Sequence, residues 1–166
     1  GKGYGDSLME QCIQDSKDKG KLGLVCISSK KKMPFLSDPG FMRHKGFKLA
    51  DTSSPYFELL YLPFDSEAGV PWVKACAKDG RIDEMGWVLY YSNQCPHTEK
   101  YAPLLADIIK GQGMECRLHK IDSREAAQSA PVLFTTYALF YNGKFVTNEV
   151  LSEKSFAKLW ERIRER

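Results

Sequence analysis

The spacing of apolar positions predicts a regular succession of strands and helices in the C-terminal half of the chain. The run Trp87–Tyr91 consists of apolar and aromatic residues and has the composition of a strand. After a polar break, Leu104, Leu105 and Ile108 recur at helical spacing and predict a helix over residues 96–110. The same reasoning predicts strands at Glu115–Asp122, Thr136–Tyr141 and Lys144–Thr147, a short helix at Ser123–Gln128 and a final helix capped by Ser152, in the order β-α-β-α-β-β-α.

The N-terminal half shows the same two periodicities. A predicted helix places Leu8, Cys12 and Ile13 on one face. Gly20 ends this helix, because glycine readily takes the left-handed conformation that closes helices. Further predicted elements are a strand at Leu22–Ser29, a short helix within Ser37–Lys45, strands at Phe47–Ala50 and Tyr56–Leu62, and a short helix at Val70–Ala77 inside a linker, residues 65–86.

Composition narrows the class of protein and its surroundings. The chain has 166 residues, of which 43% are hydrophobic and 27% charged, as in an ordinary globular protein with one domain or two small ones. A net charge of +3 gives no indication of nucleic-acid or membrane partners, and no apolar run approaches the ~20 residues of a membrane-spanning helix. The five cysteines are odd in number and scattered, which favours reduced thiols in the cytoplasm, and no Cys/His cluster has metal-site spacing.

Three glycines among the first five residues lead directly into the first predicted helix. Free backbone N–H groups and the positive end of the helix dipole make such a loop an anion site, for which phosphate is the usual ligand. Glycine lets the backbone approach the phosphates without Cβ atoms in the way. The alternative is a tight turn between a strand and a helix, and the glycines alone do not separate the two. The candidate site comprises Gly1, Lys2, Gly3, Tyr4, Gly5 and Asp6.

Cys95 is the most conspicuous reactive group, because it opens a predicted helix whose first position is Pro96. A helix N-terminus stabilises a thiolate, which could attack a disulfide or a thioester. His97 is a candidate acid–base partner, although a solvent-exposed histidine is the default at that position. The alternative is an unreactive cysteine in a domain that only binds or positions another molecule.

A run of three lysines, Lys30–Lys32, follows the first predicted strand. Such a run is most often part of a solvated loop. The alternative is that these lysines help to hold a cofactor phosphate.

The N-terminal pattern resembles the C-terminal half of a GNAT acetyltransferase domain. The resemblance rests on the glycine loop, on the helix and strand that follow it, and on the segment from Phe41 to Phe47 with its closing hairpin. In that family an Arg/Gln-x-x-Gly-x-Gly/Ala loop holds the pyrophosphate of acetyl-CoA at a helix N-terminus, and Gly3 and Gly5 would be the motif glycines here. The resemblance covers residues 1–64 and implies transfer of an acetyl group from acetyl-CoA to an amine.

The chain departs from the GNAT pattern at two points. The leading Arg/Gln would lie one position before Gly1, so we expect the chain to be a piece of a longer protein whose earlier strands supply the acceptor site and usually the general base. Many GNAT enzymes have tyrosine in a Phe-Tyr-x-x-x-Gly-Phe pattern, where it protonates the departing CoA thiolate. Met42 stands at that position and cannot donate a proton. His44 is an alternative donor, with a plain surface role as the competing interpretation.

The C-terminal pattern resembles the thioredoxin fold. Cys95 opens the helix, Pro103 stands where thioredoxins have a helix-kinking proline, and Asn142-Gly143 matches the turn of the final hairpin. Together with Gln94-Cys95-Pro96 and Phe134–Tyr137, this pattern makes residues 47–164 similar to the YoaP-type domain found behind GNAT domains. Each resemblance therefore supports the other.

Two threonines separate this domain from redox-active thioredoxins. Thr98 stands in place of the second cysteine of the Cys-x-x-Cys motif, and Thr135 stands in place of the cis-proline. Without the second cysteine, dithiol exchange within the motif is not available. Single-thiol chemistry with glutathione or with CoA thiols stays open.

These observations predict an α/β (α+β) protein that consists of a partial GNAT fold and a thioredoxin-like domain. We expect residues 1–64 to form the C-terminal half of a GNAT domain, residues 65–86 to form a linker, and residues 87–166 to form the thioredoxin-like YoaP-type domain. The expected function is GNAT-type acetyl transfer from acetyl-CoA to a small-molecule or peptide amine, as part of the intact protein. A thiol-transfer protein that uses Cys95 and a non-catalytic module that recruits a substrate are the alternatives.

The first part is too small to complete a GNAT core by itself. We therefore expect an exposed sheet edge near Leu22–Ser28, because unpaired strand edges attract further strands. Either a second copy of the chain or the missing N-terminal half is expected to cover this edge.

Overall fold

The computed structural model describes residues 3–165, and its mixture of helices and sheets confirms the predicted α/β class. The chain divides into two compact units, Gly1–Val73 and Lys74–Arg166. This division falls inside the stretch 65–86 that the sequence predicts as a linker. None of the helices within residues 3–165 combines the length and the apolar character of a membrane-spanning segment.

The first unit is a small antiparallel sheet with two helices. In the sheet, the third strand lies in the centre and pairs with both others. The elements are α1 (Tyr4–Asp18), β1 (Gly23–Ser29), α2 (Pro39–His44), β2 (Lys48–Ser53) and β3 (Phe57–Pro63), in the predicted sequence order and with a strand order β1-β3-β2.

Local signals in the sequence account for the ends of the two helices. Gly3 precedes α1 with a φ of 74°, and Gly20 follows it with a φ of 65°, a left-handed conformation that glycine adopts at low cost. Asp38 caps α2, because its Oδ1 accepts a hydrogen bond of 3.0 Å from the N–H of Phe41. Pro39 occupies the first position of α2, where the missing N–H has no consequence.

The start of α1 and the end of β1 lie at the same end of this unit. Only residues 19–22 connect the end of α1 to the beginning of β1. At the start of α1, Gly5 lies against Phe41 of α2, and Ser37, just before α2, donates its N–H to the carbonyl of Ile27 near the end of β1. We call this end, where α1 begins and β1 stops, the site end of the sheet.

One edge of β1 is open, as predicted. β1 pairs with β3 on one side, and no strand within residues 3–165 pairs with its other side. Val25 of β1 is 55% exposed and the neighbouring Leu22 is 62% exposed. What covers this edge stays a prediction.

The second unit has the predicted order β-α-β-α-β-β-α. Its first strand lies inside the sheet, with a parallel neighbour on one side and an antiparallel neighbour on the other. The elements are β4 (Trp87–Tyr91), α3 (Pro96–Gly111), β5 (Cys116–Lys120), α4 (Arg124–Ser129), β6 (Tyr137–Tyr141), β7 (Lys144–Thr147) and α5 (Glu153–Arg164), with the strand order β5-β4-β6-β7.

Alternating side chains of β4 build the cores on the two faces of this sheet. Trp87 and Leu89 pack with buried residues of α3 and α5, among them Leu105 and Phe156. Val88 points to the opposite face and packs with residues of the segment around α4. The second unit thus buries both faces of its central strand.

One predicted element is shorter than expected. The sequence predicts a helix at Val70–Ala77, whereas the structure has only a short 3-10 helix at Ala75–Ala77. Val70 precedes Pro71, and a proline ring disfavours helical backbone at the residue before it. The helix prediction is therefore wrong for residues 70–74.

Candidate functional site

The described part of the glycine loop forms the beginning of α1. Gly1 and Lys2 lie outside the described residues. Gly3 is the N-cap, and its carbonyl accepts hydrogen bonds from the N–H groups of Asp6 (3.0 Å) and Ser7 (3.2 Å). The N–H groups of Tyr4 and Gly5 belong to the first turn, which has no preceding carbonyls to bond within the helix. They are therefore available to an anion at the positive end of a 15-residue helix.

The loop rests against α2 through one ion pair and one aromatic ring. Asp6 Oδ1 lies 2.5 Å from Lys45 Nζ, and this hydrogen bond and charge lower the pKa of the Asp6 carboxyl. A Cβ atom on Gly5 would lie 3.4 Å from the ring of Phe41, so a larger side chain there would press on α2. Lys45 thus offsets the one carboxylate in the first turn of α1, which would otherwise repel an anion.

Met42 occupies the tyrosine position of the Phe-Tyr-x-x-x-Gly-Phe pattern and cannot donate a proton. Met42 is half-buried in α2, and His44 is exposed at the end of that helix. The surface interpretation of His44 therefore agrees with its exposure, and its role as a donor stays a prediction.

A pocket that the sequence interpretation did not find lies in the first unit, at the site end of the sheet. It has a volume of about 450 Å³ and lies between the loop after β1 and the tip of the β2–β3 hairpin. The lysine run was the only sequence signal near it. The pocket could not be predicted from the sequence, because it combines segments that are far apart along the chain.

Cys95 is the N-cap of α3, with extended backbone angles (φ −119°, ψ 125°). Its side chain is half-buried and makes no capping hydrogen bond to the helix, while Pro96 fills the first helical position as predicted. His97 is exposed, and its ring centroid lies 6.3 Å from that of Tyr101. The thiol thus lies at the start of the helix, whereas the ring of His97 lies beside that of Tyr101.

Thr98 holds the cysteine loop in place. Its side chain is fully buried, and its hydroxyl lies 2.5 Å from the carbonyl oxygen of Ser92 and 2.7 Å from that of Cys95. Its backbone N–H also donates to the carbonyl of Cys95 at 3.1 Å. Thr98 therefore has a structural task in this loop.

The structure brings the cysteine loop together with the segment that contains Thr135. The N–H of Ser92 donates to the carbonyl of Thr136 (3.1 Å), and the hydroxyl of Thr136 donates to Oε1 of Gln94 (3.3 Å). A second pocket, of about 460 Å³, lies beside this loop at the ends of β4 and β5. It is lined by Ser92, Asn93, Gln94, Lys120, Ile121, Asp122, Ser123, Arg124 and Ala127.

The sequence also did not predict a charged cluster on the face of the second sheet to which Val88 points. Glu84 bonds the ring of His119 (2.9 Å), the hydroxyl of Tyr90 (3.2 Å) and the guanidinium of Arg117 (3.1 Å). Burial, followed by the charge and hydrogen bond of Glu84, raises the pKa of Tyr90 to about 12. Burial would raise the pKa of Glu84, but its bonds to His119 and the other partners lower it instead. This cluster ties the segment before β4 to the sheet.

Among known proteins, the chain is similar to one that is named as an N-acetyltransferase. A family model described as YoaP-like matches residues 116–158, which extend from β5 into α5. The "Uncharacterized N-acetyltransferase YoaP" of Bacillus subtilis (strain 168) is 37% identical over 157 residues. This match covers 95% of the present chain and 62% of that relative, so the chain spans less than two thirds of the relative's length. No solved structure matches the chain.

Proposed function

We propose that the chain is part of a GNAT-type N-acetyltransferase that takes an acetyl group from acetyl-CoA and passes it to an amine. The similarity to a relative named as an N-acetyltransferase, over 95% of this chain, carries the proposal. The element order α-β-α-β-β of the first unit agrees with the C-terminal half of a GNAT domain. We assign the pyrophosphate of CoA to the glycine loop.

The residues around the start of α1 fit a pyrophosphate. Gly3 has a left-handed backbone at the helix start, and the first-turn N–H groups of Tyr4 and Gly5 have no preceding carbonyls to bond within the helix. The ion pair between Asp6 and Lys45 removes the nearest opposing charge. The site therefore joins hydrogen-bond donors, a helix dipole and a neutralised carboxylate.

When bound, acetyl-CoA supplies a thioester carbonyl that an amine attacks, so that a C–N bond forms, the C–S bond breaks and the CoA thiolate leaves. The amine gives up a proton to a base, and the thiolate takes one from a donor. The first unit would contribute the anchoring of the phosphates and the positioning of the thioester near the end of β1. We propose that other parts of the intact protein supply the base and the proton donor.

Two glycines with matched backbones provide a direct test of the CoA site. Gly3 and Gly20 both have positive φ, and a Cβ atom on either would meet nothing within 4 Å. Substitution by alanine in each case costs ~1–2 kcal/mol of backbone strain. Only Gly3 lies at the anion site, since Gly20 follows the opposite end of the same helix.

Isothermal calorimetry with CoA compares the wild-type chain, Gly3→Ala and Gly20→Ala. We expect Gly3→Ala to bind CoA ~10-fold more weakly than Gly20→Ala, a difference of ~1.4 kcal/mol. Equal affinities of the two variants would contradict the assignment of the pyrophosphate to this loop.

A second candidate function is thiol transfer by Cys95 in a thioredoxin-like second unit. It is favoured by the position of Cys95 at the start of a 16-residue helix, with a side chain that makes no capping bond. The strand order β5-β4-β6-β7 and the placement of the cysteine between β4 and α3 also support the thioredoxin-like interpretation.

The rate of Cys95 alkylation against pH tests this candidate, with the other four cysteines replaced by serine. A thiolate function predicts fast alkylation that persists well below pH ~8.5, the ordinary pKa of cysteine. A rate that falls as it does for a free cysteine would leave only a binding or positioning role for the second unit.

A further inference from the structure

The pocket at the site end of the first unit is large enough for a small molecule. Its volume is about 450 Å³, within the range of ~300–1,000 Å³ in which proteins hold small ligands. The end of β1 and the loop after it form one wall, and the tip of the β2–β3 hairpin forms the other. The charges and the apolar surface of these two walls determine which class of ligand the pocket fits.

Two lysines supply positive charge at the pocket that no acidic side chain balances. Lys30 and Lys31 are exposed, line the pocket and form no ion pair with any other residue that the structure describes. Lys32, the third lysine of the run, has its Nζ 3.0 Å from Oδ2 of Asp38. The first two ammonium groups are therefore available to a ligand, whereas the third is used within the protein.

The acidic residue in the lining of the pocket does not change this balance. Glu58 of β3 is 8% exposed, and Nη2 of Arg43 lies 2.6 Å from its Oε2. This ion pair compensates the carboxylate, so Glu58 offers no free negative charge to a cationic ligand and does not neutralise the lysines. The charge that remains for a ligand is therefore that of Lys30 and Lys31.

Buried hydroxyl groups hold the backbone of the lysine loop. Ser28 and Ser29 are fully buried at the end of β1. The hydroxyl of Ser28 donates to the carbonyl of Ser37 (2.8 Å), and that of Ser29 donates to the carbonyl of Lys31 (2.5 Å). The N–H of Ser37 also donates to the carbonyl of Ile27 (3.2 Å). A ligand therefore has to order only the lysine side chains, which lowers the cost of binding.

The rest of the lining includes an apolar surface. Met33, from the lysine loop, and Tyr56, from the hairpin, are half-buried, and Pro55 beside Tyr56 is exposed. An inorganic anion would leave this surface in contact with water. A ligand that also has an apolar part would cover it and gain free energy from its burial.

We propose that this pocket binds an organic anion, that is, a carboxylate or phosphate group joined to an apolar or aromatic body. The anionic group contacts Lys30 and Lys31, and the body covers Met33, Pro55 and Tyr56. A cationic ligand of the same shape is repelled by the two lysines and finds no free carboxylate in the lining. The site is additional to the glycine loop and does not depend on acetyl transfer.

Two sources supply this chemistry, namely a separate small molecule and the 3′-phosphate of CoA with its adenine ring. A continuous set of contacts connects the lysine loop to the glycine loop. A Cβ atom on Gly5 would lie 3.4 Å from the ring of Phe41, the N–H of Phe41 donates to Asp38 (3.0 Å), and Asp38 pairs with Lys32. The cofactor is therefore a source that the experiment has to separate from an independent ligand.

Three probes of similar shape and different charge test the pocket. 3-Phenylpropionate is anionic, 3-phenylpropionamide is neutral and 3-phenylpropylamine is cationic. Each is titrated into the full 166-residue chain, and backbone amide chemical shifts report both its affinity and its location. We expect 3-phenylpropionate to bind ~10-fold more tightly than the amide, because it gains two exposed ionic contacts, and the amine to bind most weakly. The largest shift changes should fall on Lys30, Lys31 and Tyr56.

A pair of double variants tests the role of the lysines at equal net charge. Lys30→Ala/Lys31→Ala removes two positive charges at the pocket, and Lys21→Ala/Lys48→Ala removes two at the other end of the sheet. We expect the first variant to bind 3-phenylpropionate and the amide equally, and the control variant to keep the ~10-fold preference. All four lysines are exposed, so both variants should fold.

CoA and dephospho-CoA, which lacks only the 3′-phosphate, separate the two sources. If the cofactor supplies the anion, CoA should bind ~10-fold more tightly than dephospho-CoA, Lys30→Ala/Lys31→Ala should remove this difference, and CoA should displace 3-phenylpropionate. If a separate molecule supplies it, CoA and dephospho-CoA should bind equally, and 3-phenylpropionate should still bind at saturating CoA.

The outcomes distinguish failure of this inference from failure of the proposed function. Equal affinities for the three probes, no binding of any probe, or a preference for 3-phenylpropionate that survives Lys30→Ala/Lys31→Ala would overturn the inference even if the chain binds CoA. A loss of the preference in Lys21→Ala/Lys48→Ala as well would also overturn it, because net charge alone would then explain the effect. The expected preference in a chain that does not bind CoA would retain the anion site and count against acetyl transfer.

Discussion

Thr98→Val tests the conclusion that a buried hydroxyl holds the cysteine loop. Valine has nearly the same shape as threonine but cannot donate to the carbonyls of Ser92 and Cys95. The side chain is fully buried, so water cannot replace the lost bond. A net hydrogen bond contributes ~1 kcal/mol, and a buried carbonyl left without a partner costs ~1–3 kcal/mol. We therefore expect Thr98→Val to lower the free energy of unfolding of the second unit by ~1–3 kcal/mol.

Thr136→Val is the matched control, because it makes the same chemical change on the neighbouring segment. The hydroxyl of Thr136 lies 3.3 Å from the side chain of the exposed residue Gln94, so that solvent can replace its bond. We expect this variant to change the free energy of unfolding by less than ~0.5 kcal/mol.

Urea unfolding followed by tryptophan fluorescence measures both variants. Trp87 is 1% exposed in the core of the second unit and reports its unfolding. Equal stabilities of Thr98→Val and Thr136→Val would refute the reasoning, because the buried hydrogen bonds would then contribute nothing beyond what solvent supplies.

Three further predictions concern a hairpin turn, a tyrosine and an ion pair. Gly143→Ala should lower the free energy of unfolding by well over ~1 kcal/mol, because the new Cβ atom would lie 2.7 Å from a backbone carbonyl oxygen. Gly113→Ala is the control in the same urea assay and should cost only ~1 kcal/mol, because Gly113 has a similar φ and no atom lies within 4 Å of its Cβ position. The pKa of Tyr90 is raised in the folded state, so its contribution to the free energy of unfolding should be complete below pH ~10 and lost as the pH rises towards 12. The stability of Tyr90→Phe should decline less than that of the wild type across this range, and an identical decline would contradict the prediction. Lys45→Ala should weaken CoA binding in calorimetry, because it leaves the carboxylate of Asp6 uncompensated at the helix start, and unchanged affinity would place the anion elsewhere.

The order of elements was predictable because it depends on local patterns. The strands Trp87–Tyr91 and Lys144–Thr147 have the predicted bounds, since apolar runs and turn residues mark them in the sequence itself. Asn142-Gly143 forms the predicted two-residue turn, with φ values of 46° and 75°. The helix predicted at Val70–Ala77 failed for a local reason as well, because Pro71 outweighs the apolar spacing around it.

The candidate sites were predictable only where one segment forms them. Cys95 at a helix start and the glycines before α1 are contiguous, so their sequence identifies them. The pocket joins Lys30 to Glu58 across the register of β1 and β3, and the ion pair between Asp6 and Lys45 joins two helices. A single sequence does not specify such long-range pairs, because strand register and helix packing determine them.

The backbone amide spectrum of the chain on addition of CoA tests the central claim most directly. If the glycine loop binds the pyrophosphate, the largest chemical-shift changes should fall on the N–H groups of Tyr4 and Gly5, which have no carbonyl partner within α1. Lys45, which lies against the same turn, should show smaller changes. Changes concentrated at Cys95 and Thr98, with none at the start of α1, would contradict the account and favour thiol chemistry in the second unit.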